Sequence, residues 1–208
     1  MSGERDAALA RLAVSRETAS RLEALVALVR RWQSVRNLVA PSTLPQIWSR
    51  HVLDSAKLVA LAPVGATRWV DLGSGGGFPG LVVAALLRER PDFRATLVES
   101  DQRKAAFLRT AARELTLPVD VEADRIERVI PTIAACDVVS ARALAALPVL
   151  LDMAGPLIER GAIGLFPQGE QASSELTQSD PTGRFHIALT PSVTHPSAAI
   201  AVVTARGS

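Results

Sequence analysis

Trp69-Val70-Asp71-Leu72-Gly73-Ser74-Gly75-Gly76-Gly77-Phe78-Pro79-Gly80 is the stretch on which the fold turns. A short apolar run closes on an acidic residue. Glycines follow at alternate positions 73, 75 and 77, and a fully apolar run, Leu81 to Leu87, comes next. The order reads strand, glycine-rich turn, helix. Glycine is needed in such a turn because side chains would block a nucleotide-like ligand from the backbone, and because tight turns often require positive φ. Outward from this point the pattern alternates. Segments 68–71, 95–99, 119–122, 137–140 and 162–166 read as strands; 78–90, 101–115, 147–159 and 169–178 read as helices, with a short segment around 124–129. Strands near 184–190 and 198–204 finish the chain. Regular alternation predicts an α/β fold, a mostly parallel seven-stranded sheet with helices on both faces. Two closing strands with no helix between them predict an antiparallel addition at one edge.

Upstream of the turn, residues 4–36 read as two helices with a break near Ser15. Leu22, Leu25, Val26, Val29 and Trp32 recur at helical spacing and form a core face. Residues 37–42 read as a connector. Thr43-Leu44-Pro45-Gln46 has capping-box spacing with proline in the first turn, which predicts the start of a helix running past Trp48 and His51 to end before Pro63. The organisation is therefore an N-terminal helical extension, 1–62, and a ligand-binding domain, 63–208, in one compact unit. No internal repeat or low-complexity tract interrupts it.

Composition narrows the function classes. The chain has 208 residues, 48% hydrophobic and 21% charged, a globular balance. The run Leu81 to Leu87 is far too short to span a bilayer, and the charged start (Glu4, Arg5, Asp6) is unlike a signal peptide. A cytoplasmic protein is the expectation. The lone cysteine, Cys136, excludes an internal disulfide and a cysteine-cluster metal site, and three scattered histidines give no metal site. Net charge is +2 but uneven: residues 1–60 carry nine Lys/Arg against five Asp/Glu. A basic excess beside the ligand domain suits an anionic partner such as RNA, or an ordinary solvated helix face.

In doubly wound folds the ligand sits at the carboxyl ends of the strands. The first strand end gives Asp71, Gly73, Gly75 and Gly77. Asp-x-Gly-x-Gly-x-Gly is the pattern of S-adenosylmethionine (SAM) methyltransferases; the cofactor has no pyrophosphate for a helix N-terminus, but a carboxylate can help orient its sulfonium and amino-acid tail. The second strand end gives Glu99, an acceptor for ribose hydroxyls or a helix cap. The third is followed by Asp124-Arg125-Ile126-Glu127, where an adenine edge would pass. The fourth ends in Ser140-Ala141-Arg142-Ala143, with Arg142 placed for the cofactor carboxylate, a target phosphate or a surface ion pair. Cys136 precedes the fourth strand and reads as a small core residue, not a nucleophile. No Asn/Asp-Pro-Pro-aromatic motif of amino-methyltransferases occurs. A target atom with its own lone pair, such as guanine N7, needs neither nucleophile nor base, only positioning and desolvation. His51, Asp54 and Ser55 stand at i, i+3 and i+4, and so share one helical face. They either roof the cofactor and position a base, or form a buried network that locks the helix down.

These residues resemble the RsmG (GidB) family of bacterial small-subunit rRNA guanine-N7 methyltransferases. The resemblance is carried by Arg31-Trp32-Gln33 with Asn37-Leu38, Arg50-His51-Val52-Leu53-Asp54-Ser55, Asp71 through Gly80, and Glu99-Ser100-Asp101-Gln102-Arg103-Lys104 leading to Phe107-Leu108. It continues in Arg125-Ile126-Glu127 and Ala141-Arg142-Ala143. It covers nearly the whole chain. It implies a Rossmann-like class I SAM methyltransferase fold and methylation of a guanosine N7 in the decoding-region loop of 16S rRNA. It also implies cofactor contacts at Gly73, Phe78, Ile126, Glu127 and Arg142, to which Asp71, Gly75, Gly77 and Glu99 add themselves on the physical reading. His51, Asp54 and Arg142 are the positioning candidates. Arg50, Arg103, Lys104 and Gln168 are the RNA-contact candidates, and Arg103 and Lys104 share a predicted helix with Arg109 and Arg113. One departure stands out: where the family has Lys-Gly after the fifth strand, this chain has Gln168-Gly169.

The expected partner is 16S rRNA within the small ribosomal subunit, met by a monomer with no DNA or membrane partner. Two rivals remain open at this level. Gly75-x-Gly77-x-x-Gly80 with Glu99 also fits an NAD(P)-dependent oxidoreductase. A non-catalytic RNA-binding or ribosome-assembly module that keeps the fold is the other.

Overall fold

The protein was analysed as a computed structural model, which describes residues 2–169, 183–192 and 198–207. Helices α1 (Ser2–Leu12) and α2 (Arg16–Gln33) come first, and Ser15 caps α2 by accepting from the Thr18 N–H at 3.2 Å. A seven-stranded sheet follows: β1 (Arg68–Leu72), β2 (Arg94–Val98), β3 (Val119–Glu122), β4 (Val138–Ala141), β5 (Ile163–Gln168), β6 (Phe185–Pro191) and β7 (Ala199–Ala205). Strand order is β3-β2-β1-β4-β5-β7-β6. The first five strands pair in parallel, and β7 runs antiparallel between β5 and β6. Helices α4 (Gly80–Leu87), α5 (Gln102–Glu114), α6 (Ile126–Val129) and α7 (Leu147–Ile158) make the crossovers. The helix expected over 169–178 lies outside the described residues, apart from Gly169.

The central strands β1, β2 and β4 are buried on both faces, which is why they read as short, mostly apolar runs, whereas the edge strands β3 and β6 alternate. Trp69, Ala95, Leu97 and Val138 point into one core with α2, α4 and α5. Val70, Leu72, Val139 and Ala141 point into the other with α7. The first core is shared with the N-terminal helices, since Leu22, Leu25, Val26 and Val29 pack into it. From β1 the chain winds outward to β3, then returns to β4 on the other side of β1. The loops after β1 and β4 therefore diverge, and they open a crevice at the carboxyl edge.

The segment between α2 and β1 departs from expectation. The Thr43–Gln46 stretch does not start an α-helix: Pro41–Gln46 is a 3₁₀ turn, Trp48–Leu53 is one wide π-helical turn, and only Asp54–Leu61 (α3) is regular α-helix. Thr43 does not cap, because its hydroxyl donates to the Ala40 carbonyl at 2.8 Å. The π turn also separates His51 from Asp54, with consequences for the site. Such turns are frequent at functional positions.

Candidate functional site

The glycine turn is built by the strand beneath it. Asp71 pairs laterally with Ser140 of β4. Trp69 Nε1 donates to Ser140 Oγ at 2.9 Å, and Ser140 Oγ donates to Asp71 Oδ1 at 2.7 Å. Asp71 Oδ2 accepts the Gly80 N–H at 3.2 Å, which fixes the start of α4. Asp71 is fully buried and does not line the crevice, so the expected cofactor contact is replaced by a positioning role: its carboxylate ties the loop's end to two strands. Gly77 is likewise not on the cavity wall. A Cβ there would collide with Leu81, so glycine serves helix packing. Gly76 has a similar cause, since its Cβ would stand 2.7 Å from the Leu38 carbonyl oxygen.

Burial pushes the Asp71 carboxyl up to about 6, against the hydrogen bond from Ser140. The native state thus holds that proton more tightly than the unfolded chain. The stability this adds is fully present below about pH 4 and is lost as pH rises through about 6. Wild type should therefore lose up to about 3 kcal/mol relative to Asp71→Asn between pH 4 and 7. Urea unfolding of both proteins across that range checks it; a pH-independent difference would return Asp71 to an ordinary carboxyl.

Two cavities open at the carboxyl edge of the sheet. The larger, about 530 Å³, is lined by Gly73, Gly75, Phe78, Glu99, Ile126 and Glu127, all expected. Glu99 Oε2 accepts the Gly75 N–H and Oε1 the Asp101 N–H, each at 2.8 Å. A carboxylate has about four lone-pair sites, so two remain for ligand hydroxyls. Gly75 adopts φ +53°, and a Cβ there would meet only the Gly73 carbonyl oxygen, at 3.7 Å. The turn is thus open to a close-fitting ligand where its backbone reaches the cavity, and the residues present fit a SAM-sized cofactor.

The roof of this cavity was missed by sequence reasoning. Leu38, Val39 and Ala40 of the N-terminal connector, and Thr43 of the 3₁₀ turn that follows, line it. Gln33 holds Leu38 and Val39 there. Its Nε2 donates to the Val39 carbonyl at 2.9 Å, and its Oε1 accepts the N–H groups of Leu38 and Val39 at 2.9 and 3.1 Å. The signal was available in Gln33 itself, a side-chain amide at the end of a helix beside a short connector. Arg125, in the segment where an adenine edge was expected to pass, lines the cavity too, and so does Met153, which was not expected to.

Lys104, expected on an RNA face, instead lines the larger cavity. Arg103, one position earlier on α5, is exposed and lines neither cavity. Asp101 caps the helix by accepting both of their N–H groups, at 2.8 and 3.1 Å.

The smaller cavity, about 230 Å³, is lined by Arg50, Asp54, Gln168 and Ser192 among others. Arg142 and Ala143 line both cavities. Arg142 Nη1 donates to His51 Nδ1 at 2.7 Å, and Nη2 donates to the Arg50 carbonyl at 2.8 Å. Arginine has only donors, so His51 Nδ1 must be the acceptor. The ring proton therefore sits on Nε2 and is given to Thr43 Oγ1 at 2.8 Å. Burial, with Arg142 and Arg50 close by, pushes the His51 pKa down to about 3. The ring is neutral, both nitrogens are engaged, and it packs on Phe78 with centroids 4.9 Å apart. His51 and Asp54 are thus not a pair. His51 faces the larger cavity, and Asp54 faces the smaller one, where its Oδ1 accepts from Ser192 Oγ at 3.2 Å. Burial lowers the Arg142 pKa, and nearby Asp54 opposes this. Cys136 is buried, and burial pushes its thiol up to about 11, in keeping with a core role.

Known proteins resemble this chain in fold and in sequence. Solved structures with this fold include cofactor-bound Rv0187 from MTB (TM-score 0.65, 16% identity, 91% of each chain). The fibrillarin/Nop5p complex is another (TM-score 0.57, 12% identity, 75% of this chain and 81% of that one). At such identities the likeness is one of fold, the Rossmann-like fold of class I SAM methyltransferases. Sequence relatives are much nearer. The ribosomal RNA small subunit methyltransferase G of Methylobacterium nodulans is 51% identical over 200 residues, 96% of this chain and 94% of its own. That of Parvibaculum lavamentivorans is 51% identical over 187 residues, 90% and 83% of the two chains. Residues 18–199 match the family described as rRNA small subunit methyltransferase G. With the glycine turn, the Gln33-held roof and the Arg142 wall all inside that span, the chain belongs to the rRNA small subunit methyltransferase G family.

Proposed function

We propose that the protein methylates N7 of a guanosine in the decoding-region loop of 16S rRNA, using SAM. The observation that carries this reading is the junction of the cavities: Arg142 and Ala143 belong to both walls, so a group held in the smaller meets whatever occupies the larger. Bound in the larger cavity, SAM supplies an electrophilic methyl group on a sulfonium. Glu99 would accept its ribose hydroxyls, Ile126 would pack against its adenine, and Phe78 with the connector roof would exclude water. His51 cannot take a proton at Nδ1, because Arg142 occupies that lone pair. Guanine N7 carries a lone pair and no proton, so the reaction it undergoes asks for positioning alone. The relatives' names supply the ribosomal target; among the described residues no hydride-transfer constellation supports the oxidoreductase reading.

The reading includes a cytoplasmic monomer acting on the small subunit, with neither DNA nor membrane as partner. No helix among the described residues is long and apolar enough to cross a membrane. The decisive experiment is transfer of labelled methyl from SAM to small subunits lacking the modification, with the base mapped. Product at a guanosine N7 is expected. Tight SAM binding with no transfer would favour the ribosome-assembly module.

The split between Arg103 and Lys104 gives a second test. Arg103→Ala should flatten the log–log salt dependence of subunit binding by roughly 0.7–0.9, one phosphate contact, and leave SAM affinity unchanged. Lys104→Ala should weaken SAM binding. The opposite assignment of effects would mean that α5 meets RNA through its cavity side.

A further inference from the structure

We propose that the smaller cavity is a guanine pocket in which Asp54 reads the Watson–Crick edge of the base. The inference rests on the guanosine reading above. At about 230 Å³ the cavity is below the size of pockets that hold drug-sized ligands, and it suits a single splayed-out base. Asp54 is the one acidic side chain lining it among the described residues.

The chemistry selects guanine. Its Watson–Crick edge places two donors side by side, the N1–H and the exocyclic amine, and a carboxylate accepts both. Adenine turns the lone pair of N1 to the same place, and cytosine the lone pair of N3. Uracil offers one N–H between two carbonyls. Each of these leaves the Asp54 charge facing acceptors, which is the kind of mismatch a polar site rejects most strongly. Ser192 Oγ, donating to Oδ1, orients the carboxylate.

Arg142 explains why reading comes from this edge. An arginine usually recognises guanine by a fork onto O6 and N7. Here that fork would cover the lone pair that must be methylated. Two of the five N–H donors of Arg142 are engaged, Nη1 by His51 Nδ1 and Nη2 by the Arg50 carbonyl, and these bonds fix the guanidinium on the wall of the junction. Recognition at the opposite edge of the ring leaves N7 open to the shared wall.

The test uses small subunits reconstituted with 16S rRNA carrying inosine at the mapped guanosine. Inosine lacks only the exocyclic amine and keeps N1–H, O6 and N7. Wild type should prefer guanosine roughly 10–100-fold in kcat/KM, the worth of one hydrogen bond to a charged acceptor. Asp54→Asn should narrow that preference to about twofold by slowing the guanosine reaction, with the SAM-induced rise in Tm unchanged. Where the variant makes too little product, the same ratio is read from the Kd of each particle for protein loaded with S-adenosylhomocysteine. A variant that keeps the wild-type ratio, or loses equally on both substrates, assigns Asp54 a structural role and overturns the inference. A wild type that treats the two particles alike overturns it as well. No product from wild type on guanosine particles overturns the functional reading beneath it.

Discussion

Gly75→Val should abolish SAM binding in a protein that still folds. At 100 times its Kd, a ligand that binds only the native state stabilises it by about 2.7 kcal/mol. For a chain of this size that is a rise in Tm of roughly 5–10 °C. Wild type should show this rise and the variant none. Two effects combine. The branched side chain fills space on the cavity wall that is open in the wild type, and φ +53° is a region that a β-branched residue rarely adopts. The backbone strain should lower the variant's own Tm by the equivalent of about 1–3 kcal/mol. Relaxing it would also pull the Gly75 N–H from Glu99 and loosen a second ligand contact. Thermal melts with and without SAM, with near-ultraviolet circular dichroism as the check on folding, measure both. A folded variant with the full wild-type rise would remove the glycine turn from the cofactor site.

Arg142→Leu should damage both activity and stability. It strips the donors from His51 Nδ1 and the Arg50 carbonyl, and each buried acceptor left unpaired costs about 1–3 kcal/mol. A Tm lower by roughly 5–20 °C is expected. Methyl transfer should fall by at least about 10²-fold, because the wall that aligns the two cavities is gone. Arg142→Lys separates charge from geometry. One ammonium cannot span His51 and the Arg50 carbonyl as the planar guanidinium does, so lysine should recover only part of either loss. Single-turnover rates beside melting curves test this. An Arg142→Leu protein within tenfold of the wild-type rate would show the junction to be passive.

Much of the architecture was legible because β1, β2 and β4 are buried on both faces and write themselves as short apolar runs ending at polar residues. The glycine turn and Glu99 were legible for a related reason: the carboxyl end of a parallel strand is a predictable place. What sequence could not carry was lateral or shifted. Whether Asp71 meets a ligand or its own loop depends on β4 bringing Ser140 beside it, 69 residues away. The π turn shifts the hydrogen-bond ladder without changing the apolar spacing, so His51 and Asp54 kept their apparent shared face on paper and lost it in space. Arg103 and Lys104 are adjacent in sequence but about 100° apart around a helix, enough to put one in solvent and the other in the cavity. The capping-box pattern at Thr43 failed because its hydroxyl is already spent on Ala40 and His51.

The Gln33-held roof has a consequence for how the molecule is made. Leu38 and Thr43 close over a floor that includes Glu99, Arg142 and Met153, so the cavity joins stretches roughly 55 to 115 residues apart. During synthesis the roof leaves the ribosome first and waits for its floor. Contacts of such long sequence separation form late and slowly. The pocket is therefore complete only once the chain through Met153 has been made, and a ligand held there fastens the early part of the polypeptide to its middle.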